Sequence, residues 1–156
     1  MISRATAYRY FSTNEALIRE AVLDTDWKTP FEVIGEARDV RERVARVGRY
    51  LIEFTKQHEV AHRLFLAKSL EAWVAALGKP KAPLRGARQL PMFEMALEPL
   101  RPVLKADVFD TLLKSLASAS GIEAYIALRD VCGLDEDETD RISAAVLAAI
   151  LDRYMP

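Results

Sequence analysis

A single cysteine, Cys132, occurs in the chain, so no intramolecular disulfide can form and a reducing compartment is expected. Histidine is almost as scarce: His58 and His62 are the only two, which rules out a three-histidine zinc centre. Six glycines and seven prolines among 156 residues leave few breaks, and no stretch alternates apolar and polar residues as a half-buried strand does. No apolar run is long enough to span a bilayer, and no charged, apolar, then small-residue signal opens the chain. The expectation is a cytoplasmic protein without a membrane partner. A net charge of −1 excludes a uniformly basic polyanion binder, so any nucleic-acid contact needs a local basic surface.

What remains is helical. The composition, 51% hydrophobic and 29% charged, suits one compact domain or one domain with a small appendage. The fold class read from the pattern is all-α. Short helices are expected at residues 3–10 and 13–23, then a connection over 24–36 holding Trp27, Pro30 and Phe31. A long helix at 38–57 carries Val40, Val44, Val47, Leu51 and Phe54 at spacings of four, three, four and three, a single stripe. Its other face, with Arg38, Glu42, Arg46, Arg49, Glu53 and Lys56, reads as solvated. The next helix, 60–77, is apolar nearly all round and is expected to be central, with Gly78 as its C′ residue. A loop at 79–83 leads to a helix over 84–100 that must start or kink near Pro91. One helix is expected over 107–132, ended by Gly133, and another from Asp135 to about Tyr154. Asp135 and Glu138 form a capping box for the latter, with Ile142, Val146, Ala149 and Ile150 on one stripe and Leu147 and Leu151 beside it. Both last helices are rich in small residues, which lets helices approach closely and favours association of two copies.

Residues 1–14 contain Arg4 and Arg9 and no acid. Ser3 is a suitable helix N-cap, and the two turns after it present cations, hydroxyls and phenols, groups suited to phosphates and base edges. Phe11 closes that helix. Ser12 with Glu15 then reads as a capping box opening the next one, with Thr13 as an alternative cap. The pattern Ser-x-x-Thr-x-Tyr-x-Tyr-Phe followed by Glu15-Ala16-Leu17 resembles the recognition helix and next helix of the tetracycline-repressor (TetR) family of bacterial transcription regulators. Gly121-Ile122-Glu123-Ala124, Leu128 to Asp135, Arg85-Gly86-Ala87-Arg88 and Ala96 to Leu100 also resemble the C-terminal half of such proteins.

That resemblance implies a TetR-like helical bundle in two regions. Residues 1–23 would be part of a helix-turn-helix DNA-binding region lacking its first two helices, and 24–156 a ligand-binding and dimerisation domain. Ser3, Arg4, Thr6, Tyr8, Arg9 and Tyr10 fall at DNA-facing positions, while Ala7 and Phe11 pack inward. Asn14 departs from the lysine common at that point in the family, weakening one phosphate contact. The implied function is a ligand-responsive regulator, a repressor. Its partners would be double-stranded operator DNA, provided the two preceding helices are present, a small apolar or amphipathic effector, and a second copy through the last two helices. No cofactor is implied. Larger residues of the core helices, namely Phe54, Phe65, Trp73, Met92, Phe93, Met95 and Tyr125, are candidates for the effector pocket or simply core.

Three other readings follow from the residues themselves. The Tyr-Arg-Tyr-Phe cluster is alternatively a packed aromatic corner. A two-turn helix is marginal in water, and Phe11 without partner helices forfeits about 1.5 to 3 kcal/mol of burial, which supports a sensing or dimerisation module that does not bind DNA. His58-Glu59-Val60-Ala61-His62 matches the H-E-x-x-H motif of zinc hydrolases, but Glu71 is the sole nearby third ligand and the motif straddles a helix junction, so neither metal nor catalysis is expected. Cys132 is expected to be a small buried hydrophobe at a helix end.

Overall fold

A computed structural model describes residues 27–78 and 88–155. All regular structure among them is helical, and the chain divides into two compact units, one of residues 28–57 and 87–156, the other of residues 1–27 and 58–86. The expected boundary at residue 23, the helices at 3–10 and 13–23, and the loop at 79–83 lie outside the described residues.

The larger unit is built around α2 (Val40–Gln57). The stripe spaced four, three, four and three is its buried face: Val40, Val44, Val47, Leu51 and Phe54 are all inside. Asp39 begins the helix, its carboxylate accepting from the Glu42 N–H at 3.0 Å. Ahead of it, the segment expected to be only a connection contains α1 (Pro30–Ile34). There the Thr29 hydroxyl and Glu32 carboxylate form a reciprocal capping box, and Pro30 pre-sets the first turn. These accepted bonds, led by the Thr29 hydroxyl, hold the Glu32 carboxyl below its usual range.

Against α2 pack α1, α4 (Gln89–Ala96) and α7 (Glu136–Tyr154), and α5 (Ala106–Ser118) lies against both α4 and α7. The helix α4 is shorter than the expected 84–100. Pro91 sits in its first turn, where a missing N–H costs nothing, and a 3₁₀ turn at Glu98–Leu100 follows. Met92, Phe93 and Ala96 of α4, with Leu97 just after it, are completely inaccessible to solvent, which makes this face of α4 a dense layer of the core.

The single helix expected over 107–132 is instead interrupted. The helix α5 ends at Ser118, and Gly121, at φ +86°, turns the chain into α6 (Ile122–Ile126), which continues as a π-helical turn, Ala127–Val131. A side chain is strained at that φ, so the glycine is what permits the corner. The widened turn ends in exposed backbone, and Cys132 is exposed, contrary to its expected burial. Arg129 Nη1 donates to the Leu134 carbonyl at 2.7 Å and closes this end. The capping box on α7 forms as expected, the Glu138 N–H donating to Asp135 at 2.8 Å and the Asp135 N–H to Glu138 at 3.2 Å.

The helix α7 presses closely on α2. A methyl group on Gly48 would overlap Leu147 Cδ1, so the absence of a side chain there lets the buried Leu147 keep its place. The buried line of α7 is Thr139, Leu147 and Leu151, whereas Val146, on the stripe read from the sequence, is 40% exposed. Lys56 joins the same two helices, its ammonium 2.6 Å from Asp140 and 3.2 Å from Glu53. Burial opposes the Lys56 charge, yet the bonds to Asp140 and Glu53 outweigh it and raise the pKa.

In the smaller unit the described helix is α3 (Glu59–Ala75). It overturns the expectation of a central helix: Val60, Leu64, Leu70, Trp73 and Val74 are all about half exposed or more, and Ser69 is its one buried residue. Its C-terminus takes two left-handed residues, Leu77 at φ +51° and Gly78 at φ +72°, with the Gly78 N–H donating to the Trp73 carbonyl at 3.0 Å.

Candidate ligand site

Local sequence spacing builds one recess wholly within the larger unit. On α5, Ala106, Phe109, Asp110 and Leu113 fall at i, i+3, i+4 and i+7 and so share one face. The chain between α4 and α5 turns back through Pro99 and Pro102, which places Arg101 and Leu104 beside that face. Glu94, on the solvent side of α4, completes the rim. The recess encloses about 260 Å³. Leu104, Ala106, Phe109 and Leu113 supply its apolar lining, and Glu94, Arg101 and Asp110 its charges.

The charged groups are not equivalent. Arg101 is committed three ways: Nη2 donates to Glu94 Oε1 at 2.8 Å, Nε donates to Glu98 Oε2 at 3.1 Å, and its guanidinium carbon lies 4.4 Å from the Phe109 ring centroid. The bonds to Glu98 and then Glu94 raise its already high pKa against the opposing effect of desolvation. Asp110 Oδ2 accepts from Lys114 Nζ at 2.7 Å, an i,i+4 pair on the solvent side of α5. Each rim acid thus spends one oxygen on a cation of the protein. Glu94 Oε2 and Asp110 Oδ1 take no hydrogen bond from another described residue and stay open to solvent. Such solvent-exposed pairs add little to stability, so their effect here is to orient side chains.

The pocket residues expected from the sequence fall elsewhere. In the larger unit Phe54, Met92, Phe93 and Tyr125 are buried core residues and Met95 is 38% exposed; none of them lines this recess. In the smaller unit Phe65 is half-buried and Trp73 is 50% exposed. The DNA-facing residues Ser3, Arg4, Thr6, Tyr8, Arg9 and Tyr10 lie outside the described residues. None of the recess residues belongs to the expected set. The spacing Glu94, Glu98, Arg101 and the spacing Phe109, Asp110, Leu113 were both visible in the sequence, but only the turn at 97–105 brings them together.

The H-E-x-x-H segment sits at the start of α3. His58 is the N-cap residue, at φ −119° and ψ 26°, so it lies outside the regular helix that carries His62. The two rings stand edge to face, 6.4 Å between centroids. Among the described residues no group of three or more His, Cys, Asp or Glu side chains converges on a metal position, and no helix is long and apolar enough to cross a membrane. No protein-family model, curated protein or solved structure matches this chain.

Proposed function

We propose that this chain belongs to a homodimeric, ligand-responsive transcription regulator of the TetR type, acting as a repressor. The observation that carries the reading is the register at the N-terminus. By the resemblance, Ser3, Arg4, Thr6, Tyr8, Arg9 and Tyr10 take DNA-facing positions and Ala7 and Phe11 inward ones, and Glu15-Ala16-Leu17 follows at the spacing of a next helix. Arginine can fork onto guanine or a phosphate pair, and hydroxyls can donate to phosphates, so these residue types suit a helix laid in a major groove.

Two features of the larger unit support the sensing half of this reading. The recess between α4 and α5 has room for a small amphipathic effector. On α7, Ala144, Ala145, Ala148 and Ala149 are exposed beside Val146, a smooth strip on which a second copy can lie closely. The mechanism is a population shift. An effector that prefers one arrangement of the helical body changes the separation of the two recognition helices, which then no longer match successive major grooves.

Binding of the protein, expressed from its complete coding region, to the DNA upstream of its own gene tests this by fluorescence anisotropy. The expected result is saturable, salt-dependent binding to one duplex that Arg9→Ala weakens by about 1 to 3 kcal/mol. Equal affinity for scrambled duplexes would sink it. A second reading, a sensing or dimerisation module that does not touch DNA, is favoured by one observation: among the described residues, the lining of the recess and the apolar core beneath it belong to the larger unit. Ligand binding without any DNA binding would decide for it.

A further inference from the structure

The chemistry of the recess selects a class of ligand. Its one lining cation, Arg101, already has Nε, Nη2 and one flat face engaged by Glu98, Glu94 and Phe109. Its two lining acids are solvent-exposed and each keeps one oxygen that takes no hydrogen bond from another described residue, Glu94 Oε2 and Asp110 Oδ1. The charge lining the recess sums to −1, one guanidinium against two carboxylates. Acceptors are therefore open where the donor is committed, so a cation gains more here than an anion, which must first displace an acid from Arg101. Below the rim, Leu104, Ala106 and Leu113 offer apolar surface. The volume of about 260 Å³ exceeds the roughly 150 Å³ that suffices for a benzene ring and falls short of about 300 Å³, the lower end for drug-sized ligands.

We propose that the recess between α4 and α5 binds a small organic monocation, an ammonium or amidinium group carried on an apolar body of about one ring, with Asp110 and Glu94 as its counter-ions. The ammonium bridges the two open carboxylate oxygens, and the ring lies on Leu104, Ala106 and Leu113. The inference names the effector class of the proposed function and rests on that reading only for its regulatory meaning. Occupancy of the recess is measured without DNA, so failure of either claim leaves the other standing.

Phenethylamine is a suitable probe, with 2-phenylethanol and 3-phenylpropionate as its neutral and anionic counterparts. Each is titrated into the isotopically labelled full chain while backbone and methyl resonances are followed. Expected is saturable binding of the amine at roughly millimolar concentration or below, with shifts confined to Glu94, Leu104, Ala106, Asp110 and Leu113. Asp110→Asn, an exposed and structurally mild change, weakens it by about five- to tenfold, the loss of one charge-assisted bond. Ala106→Lys, which sets a second ammonium at the mouth, abolishes it while leaving the remaining spectrum unchanged. The proposal is overturned if the alcohol binds as well as the amine, if the carboxylate binds instead with shifts at Arg101, or if Asp110→Asn leaves amine affinity unaltered.

Discussion

Two long helices follow one another in the chain, α2 with 18 residues and α3 with 17, and their fates differ. The helix α2 is the more polar, but its apolar residues lie on one stripe, and that stripe is buried from Val40 to Phe54. The helix α3 is richer in apolar side chains, spread all round it, and its one buried residue is the polar Ser69. Of these two helices, it is the one with the segregated stripe that is covered, although it is the more polar. A stripe specifies a face and so a neighbour, whereas an even coat specifies no face at all.

That contrast can be broken or sharpened by substitution, read as unfolding free energy in urea. The largest effect is expected in the core against α2. Phe93 is wholly inaccessible, and Phe93→Ala is expected to cost about 3 to 5 kcal/mol; a cost below about 1 kcal/mol would show that α4 is not the dense layer described. Next is Lys56→Met, which removes the tie between α2 and α7 at a cost of about 1 kcal/mol. The sign with pH is fixed by the raised pKa. The contribution is fully present below the ordinary lysine value of 10.5 and is lost as pH rises through the higher folded value. Wild type should therefore lose stability relative to Lys56→Met above that pH, and parallel pH profiles would contradict the pairing.

Asp135→Ala removes the α7 cap and is expected to cost about 1 kcal/mol, at the upper limit about 2. A smaller gain is expected on α3. Leu77 holds a left-handed backbone at φ +51° while its side chain is 86% exposed, so Leu77→Gly relieves strain without losing packing and should stabilise by up to about 1 kcal/mol. Smallest is Val74→Lys. Val74 is 64% exposed, and the change should stay within about 0.5 kcal/mol of wild type. A loss as large as that of Phe93→Ala would mean that the apolar coat of α3 is covered, and the contrast between the two helices would fail.

Local signals were the legible part of the fold. The stripe of α2 and the Asp135 to Glu138 capping box depend on residues three or four apart, and both are present as read. The corner at 119–121 was not legible, because Gly121 stands amid alanines and serines that suit a continuous helix equally well, and only its φ of +86° distinguishes it. Cys132 looked interior for the same reason. It follows a π-helical turn that no periodicity announces. The all-round apolar character of α3 is visible in the sequence, but it names no face and no neighbour, and here it does not go with burial. The recess was invisible because its halves belong to two helices joined by a proline-containing turn, and no spacing within either half points to the other.

The central functional claim rests on the Ser3 to Leu17 register, and selection of bound duplexes from a randomised DNA pool tests it most directly. The account predicts enrichment of two related half-sites with their centres one helical turn apart, or a whole number of turns, lost on Arg9→Ala. A pool that returns no common sequence after repeated rounds would contradict it.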